Sequence, residues 1–176
     1  MSNLNIRVAT EEDVKELYHI MHEAFTPLRE LGIDWPSVNA DEEMVRNNMK
    51  TTTMFVLEDE ERIISTISVR YPWEDRPSVA TYPFVWWFAT RPEFEGRGLG
   101  SKLLKYVEET FLRDTLKVPA VVLGTSGRLH PWLLDIYKRR GYQVFKEHEN
   151  DDGDLGILMY KELIPEAFDS QYLKRP

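Results

Sequence analysis

The chain contains no cysteine. That excludes disulfides, thiolate catalysis and cysteine-ligated zinc, so the fold must stand on packing alone and any nucleophile must be something other than a thiol. A surplus of positive charge is also missing: 22 Lys and Arg stand against 30 Asp and Glu, a formal net charge of −8 and a pI near 5.1. Proteins that bind nucleic acid concentrate Lys and Arg to displace counterions from phosphates, so no nucleic-acid partner is expected and a cationic ligand is favoured. No apolar stretch approaches the ~18 residues of a membrane span, and MSNLNIRVATEEDVKEL at the start has no apolar run flanked by basic residues. The expectation is a cytoplasmic protein without a membrane partner.

With 42% hydrophobic residues over 176 positions, the chain can bury roughly two-thirds of its unfolded surface in one core. A single domain is expected over residues 1–176, its core running from about residue 5 to 163 and the tail 164–176 loosely attached. Asn5 to Ala9 alternates as a strand. Thr10 then caps a helix whose buried stripe is Val14, Leu17, Tyr18, Met21, Ala24 and Phe25, with Glu16 on the water side and Pro27 marking the end. Thr26 to Ala40 reads as an irregular connection, and Asp41 opens a short helix through Met49. Thr53 to Leu57 and Ile63 to Arg70 form a hairpin with a charged tip, and Thr81 to Thr90 is an aromatic strand in which Trp86 and Trp87 read as core. Leu99, Leu103, Leu104, Val107 and Phe111 mark the next buried helix face, followed by a strand over Pro119 to Leu123. Pro131 suits a first helical position, Gly141 the residue after the helix, and strands over Tyr142 to Phe145 and Gly156 to Leu163 close the sheet.

Between strand and helix lies RPEFEGRGLGSKLL, Arg91 to Leu104. Such a turn directs backbone N–H groups and the positive end of a helix at one point, which suits a phosphate. A Walker loop requires Gly-Lys-Ser/Thr, but Gly100 is followed by Ser101 and then Lys102. A dinucleotide turn through Gly96, Gly98 and Ser101 lacks the ribose-binding acid about twenty residues on, since VVLGTSGRL holds none. His19 and His22 lie one helical turn apart with no third ligand, and HENDDGDLGILM lacks carboxylates at both ends of a calcium loop, so neither marks a metal site.

FATRPEFEGRGLGSKLL resembles the acetyl-CoA-binding motif of the GCN5-related N-acetyltransferases, a strand followed by Q/R-x-x-G-x-G/A and a helix. WLLDIYKRRGYQV is similar to that family's second motif, an aromatic-bearing helix ending in Tyr-x-x-x-Gly-Phe/Tyr, and the element order also matches. The resemblance implies an α/β acyl-CoA N-acyltransferase fold, with a mixed, mostly antiparallel sheet of about seven strands flanked by about four helices. It implies acetyl-CoA as co-substrate, no metal, and direct acetyl transfer to a small-molecule or peptide amine in a ternary complex; the alternative is a non-catalytic acyl-CoA sensor on the same fold. A homodimer stays open.

By the same resemblance the pyrophosphate rests on the amides of Glu95, Gly96, Arg97, Gly98, Leu99, Gly100 and Ser101, and the exposed strand backbone of Phe88, Ala89 and Thr90 pairs with the pantetheine arm and acetyl carbonyl. Tyr137 matches the family's general acid or thiolate stabiliser, and His130 stands where relatives carry a coenzyme-contacting asparagine. Asp34, Trp35 and Trp73 are candidates to line the acceptor pocket. Glu95 departs from the family's Gln or Arg, with Arg97 placed to compensate its charge. The general base is unassigned: Thr81 to Thr90 carries no acid, and Glu74 and Asp75, in the preceding loop, act only through water if at all.

Overall fold

The computed structural model describes residues 3–60, 62–73 and 80–174. Seven strands form one sheet: β1 (Leu4–Val8), β2 (Thr53–Asp59), β3 (Arg62–Arg70), β4 (Phe84–Thr90), β5 (Ala120–Ser126), β6 (Gln143–Glu149) and β7 (Leu155–Glu162). Their spatial order is β1-β2-β3-β4-β5-β7-β6, antiparallel throughout except between β4 and β5. The strand over Leu155–Glu162 therefore lies inside the sheet, and β6 forms the edge.

Period-two alternation divides the apolar side chains between two faces. Met54 and Val56 of β2 meet Leu17, Ile20 and Met21 of α1 (Val14–Ala24) and Val45 of α3 (Glu42–Thr51). Phe55 and Leu57 point the other way, into a cluster with Leu103, Leu104, Val107 and Leu112. The first two of these lie on α4 (Leu99–Lys105), which continues as a wider helix over Tyr106–Thr115 with bonds such as Leu116 N–H to Phe111 O. Each fully buried Leu or Ile contributes about 1.5–3 kcal/mol, so the two layers clamp the sheet from both sides. A last helix, α5 (Pro131–Arg139), follows β5.

Three expectations are corrected. The segment from Thr26 to Ala40 is not irregular throughout, because Thr26–Glu30 forms a short α2, which makes five α-helices among the described residues, in keeping with the about four expected. Pro27 ends α1 and also starts α2, since proline lacks only an N–H that a first turn leaves unpaired anyway. Glu16 does not simply face water: its Oε1 accepts from Ile63 N–H at 3.0 Å and from Arg91 Nη2 at 2.7 Å. The tail is packed rather than loose. Phe168 stacks on Tyr160 with ring centroids 5.2 Å apart, Thr81 N–H donates to Tyr172 O at 2.9 Å, and Leu173 is buried with Ala80, Tyr82, Ala120 and Val122. Its polar composition concealed two apolar anchors, Phe168 and Leu173.

One carboxylate organises the end of the sheet from which α5 departs. Asp154 is fully buried, and its Oδ1 accepts from Ser126 Oγ (2.8 Å), Arg128 N–H (3.2 Å), Leu129 N–H (3.0 Å) and Leu155 N–H (2.9 Å). Ser126 Oγ in turn accepts from His130 N–H at 2.9 Å, so the whole 126–130 connection hangs on this side chain. Asp154→Ala strands four donors, and unsatisfied buried groups of this kind cost about 1–3 kcal/mol each when unrelieved. The expected loss is about 3 kcal/mol in denaturant unfolding, against little change for exposed Glu149→Ala, whose Arg128 pair lies on the surface.

Candidate active site

β4 and β5 pair only at Phe84↔Val122 and Val85↔Leu123 and then separate. Beyond that point the β5-facing edge of β4, over Phe88, Ala89 and Thr90, has no ladder partner among the described residues. The strand is also bent. Its register against β3 shifts between Thr66 and Ser68, and Trp87 adopts φ 52, a left-handed conformation that a bulky side chain holds only under tight packing. Trp87 is 6% exposed in the α1 layer, which supplies that packing. Arg91 then anchors the end of β4, its Nε donating to Ile63 O at 2.6 Å and its Nη2 to Glu16.

The glycine turn starts from this fixed point. Gly96 and Gly98 have φ of 72° and 73°, and a Cβ at Gly100 would stand 2.7 Å from Thr90 Oγ1 and 3.3 Å from Phe88 Cζ. Glycine at 100 is thus what lets α4 begin against β4. Leu99, Gly100 and Ser101 occupy the first turn of α4, where no earlier carbonyl can accept, and Gly98 provides no side-chain cap. Their amides point together at the start of the helix. The amide of Glu95 is not among them, because it donates to Pro92 O at 3.2 Å. The Glu95 side chain borders the cavity in front of the turn, whereas Arg97 lies exposed with its guanidinium 5.2 Å from the Phe94 ring.

That cavity encloses ≈700 Å³ and is bordered by Phe88, Ala89, Thr90, the turn, His130 and Tyr137. His130 is 8% exposed, and its Nδ1 has no hydrogen-bond partner among the described residues; burial pushes its pKa down, which keeps the ring neutral and able to meet a polar group entering the cavity. Tyr137 rests edge-on against Tyr142 at 5.8 Å, and the Tyr142 hydroxyl donates to buried Glu108 at 2.6 Å. Burial pushes the Tyr137 pKa up to about 12, so its phenol stays protonated. Arg140 completes the wall, donating to Ser101 Oγ at 2.6 Å and lying within 6 Å of the Phe88 and Tyr137 rings, at 5.8 and 5.9 Å. Nothing in the sequence marked Arg140, because only the fold brings the last turn of α5 onto the first turn of α4.

A second cavity of ≈310 Å³ adjoins the first through the gap between β4 and β5. Phe25, Trp35, Phe88, Gly124 and Tyr137 border both. Phe84, Leu158 and the two tryptophans Trp86 and Trp87, which the sequence suggested as core, make the rest of its wall strongly apolar. Of the residues expected at an acceptor pocket, only Trp35 is there. Asp34 is exposed and joins the β6–β7 turn, its N–H donating to Asp152 Oδ2 at 2.8 Å, while Trp73 is 75% exposed and stacked on Tyr71 at 4.7 Å. Glu74 and Asp75 lie outside the described residues. No helix among the described residues is long and apolar enough to cross a membrane.

Comparison with known proteins agrees with this geometry. The family model described as acetyltransferase (GNAT) family matches residues 14–143. The S-alkylcysteine N-acetyltransferase of Bacillus subtilis (strain 168) is 54% identical over 176 residues, covering 100% of this chain and 98% of the relative. The S-(2-succino)cysteine N-acetyltransferase of the same organism is 41% identical over 157 residues, covering 89% and 94%. Among solved structures, the ribosomal-protein-S18-alanine N-acetyltransferase of Escherichia coli superposes with a TM-score of 0.69 at 16% identity, covering 91% of this chain and 94% of that one. With the family model spanning most of its length and a curated relative matching it end to end, the chain belongs to the acetyltransferase (GNAT) family and is an acetyl-CoA-dependent N-acetyltransferase.

Proposed function

We propose that the acceptor is the α-amine of an S-substituted cysteine bearing an uncharged, apolar substituent. The observation that carries this reading is the aromatic wall of the ≈310 Å³ cavity, formed by Phe25, Trp35, Phe84, Trp86 and Leu158, in which Arg70 is the only guanidinium or ammonium group among the described lining residues. An alkyl or aryl thioether is desolvated there at little cost, and one carboxylate can be balanced by one guanidinium. The similarity to an S-alkylcysteine N-acetyltransferase over the full chain supports the same class. A succinyl substituent would bring two further carboxylates towards an apolar wall, which is unfavourable without added cations.

Acetyl-CoA supplies an activated thioester; the chain's residues hold it and manage charge. The amides of Leu99, Gly100 and Ser101 receive the pyrophosphate, held in place because Gly100 lets α4 begin against β4. The unpaired edge of Phe88, Ala89 and Thr90 aligns the pantetheine arm, with the neutral His130 ring meeting the same arm. Backbone N–H groups on that edge polarise the thioester carbonyl as an oxyanion hole does. Tyr137 donates a hydrogen bond to the departing sulfur. With its pKa near about 12 against a thiol near 8.5, complete proton transfer would be uphill by about 5 kcal/mol, so the phenol stabilises the thiolate and solvent protonates it.

An amine panel read by release of free thiol tests the acceptor: S-methyl-L-cysteine is expected to exceed S-(2-succino)cysteine in kcat/KM by at least about tenfold, and equal turnover of polyamines would overturn the assignment. No thiol release with any amine would point instead to a non-catalytic acyl-CoA sensor. Tyr137→Phe should lower kcat by about 10- to 100-fold while CoA affinity, measured by calorimetry, stays within about twofold. Glu95→Gln should tighten CoA binding by a few-fold at low salt and less at high salt, because it removes a carboxylate from the mouth of the coenzyme cavity.

A further inference from the structure

An amine entering as an ammonium must lose a proton before it can attack, and the resulting amide nitrogen must lose another. The titratable side chains that border the ≈310 Å³ cavity among the described residues are Arg70, Tyr137 and His148. A guanidinium does not accept a proton in a protein, and a phenol held protonated by burial can only donate. That leaves the His148 imidazole as the group on this wall with a lone pair to accept a proton. From these positions we infer that His148 is the general base of the acetyl transfer; this rests on reading the smaller cavity as the acceptor's.

The fold presents the ring deliberately. His148 pairs across β6 and β7 with Gly156, and the imidazole lies over that glycine: a Cβ at position 156 would stand 2.3 Å from Nε2 and 2.4 Å from Cε1. Gly156 in turn pairs with Ser126, next to Thr125 and Gly124 at the parting of β4 and β5. The ring therefore lies inward over β7, on the wall of the same cavity that Tyr137 borders from the other side of the gap, and a water in that cavity can relay the proton. Neither ring nitrogen is engaged by a described residue, which leaves both available. The neighbouring titratable or charged groups are Arg70 and the protonated Tyr137 on the cavity wall, Lys146 on the same strand, and Asp152 in the turn after β6, which is turned to Asp34 N–H.

The step balances simply. The ammonium first gives one proton to a ring nitrogen of His148, which releases it to solvent; the free amine then forms the C–N bond, its second proton passes to the same imidazole, the C–S bond breaks, and the thiolate, hydrogen-bonded by Tyr137, is protonated from solvent. The imidazolium then releases its proton to solvent before the next turnover.

The experiment measures kcat/KM against pH for the native enzyme, His148→Ala and His148→Gln, with S-methyl-L-cysteine as acceptor and thiol release as readout. The expected results are a loss of about 100-fold or more in both variants, a flattened acid limb, unchanged CoA affinity by calorimetry, and partial recovery of His148→Ala by added imidazole. Gly156→Ala, which displaces the ring without removing it, should lower kcat while CoA binding is retained. A His148→Ala enzyme within about threefold of native with its acid limb intact would overturn the assignment, as would loss of that limb in Glu74→Gln or Asp75→Asn. A native enzyme inert towards S-methyl-L-cysteine but active on another primary amine would overturn the acceptor reading, and the His148 variants are then read on that amine.

Discussion

Two residue pairs between β4 and β5 set what this sheet can do. β4 and β5 hold together at Phe84↔Val122 and Val85↔Leu123 and then diverge, so one sheet supplies both a continuous core and a gap through which two cavities meet. Each neighbouring feature maintains the gap. The bulge at Trp87 turns β4 away, Arg91 fixes its far end to β3 and α1, and Gly100 lets α4 start against the diverging strand rather than be pushed outwards. An unpaired strand edge is normally a liability in a soluble protein. Here it faces a cavity and has a ligand's amides and carbonyls as its natural partners.

Charge is distributed in the site with similar economy. The larger cavity offers backbone donors, one buried imidazole kept neutral and one phenol kept protonated, none of which carries a net charge. Arg140 is the cation placed there, and it is tied to Ser101 so that it braces α5 against the glycine turn. Glu108 acts behind the wall, receiving Tyr142 and Lys161 and so holding the surface on which the Tyr137 ring rests.

Local signals were legible in the sequence; long-range ones were not. The glycine turn and the Tyr137 motif could be read because spacing along one strand–helix joint sets their geometry. Asp34 and Trp73 could not be placed, because a loop residue's direction depends on what the rest of the chain offers it: Asp152 in one case, Tyr71 in the other. Asp154 was visible only as part of a failed calcium loop, and its role appears when β7 brings it beneath the 126–130 connection. α2 was hidden by Pro27, which stops one helix and starts another.

The position of β7 has a consequence for how the protein is made. Every pair between β5 and its neighbour, from Ala120↔Glu162 to Ser126↔Gly156, joins strands separated by thirty or more residues, and β6 can attach to the sheet only through β7. As the chain leaves the ribosome, the β5 edge stays open until the last strand has emerged, so the smaller cavity, walled in part by Gly156, Ile157 and Leu158, forms late. A nascent chain lacking only its final segment would bear that cavity without its β7 wall, and its exposed Val121–Leu123 edge would be the natural hold for a chaperone.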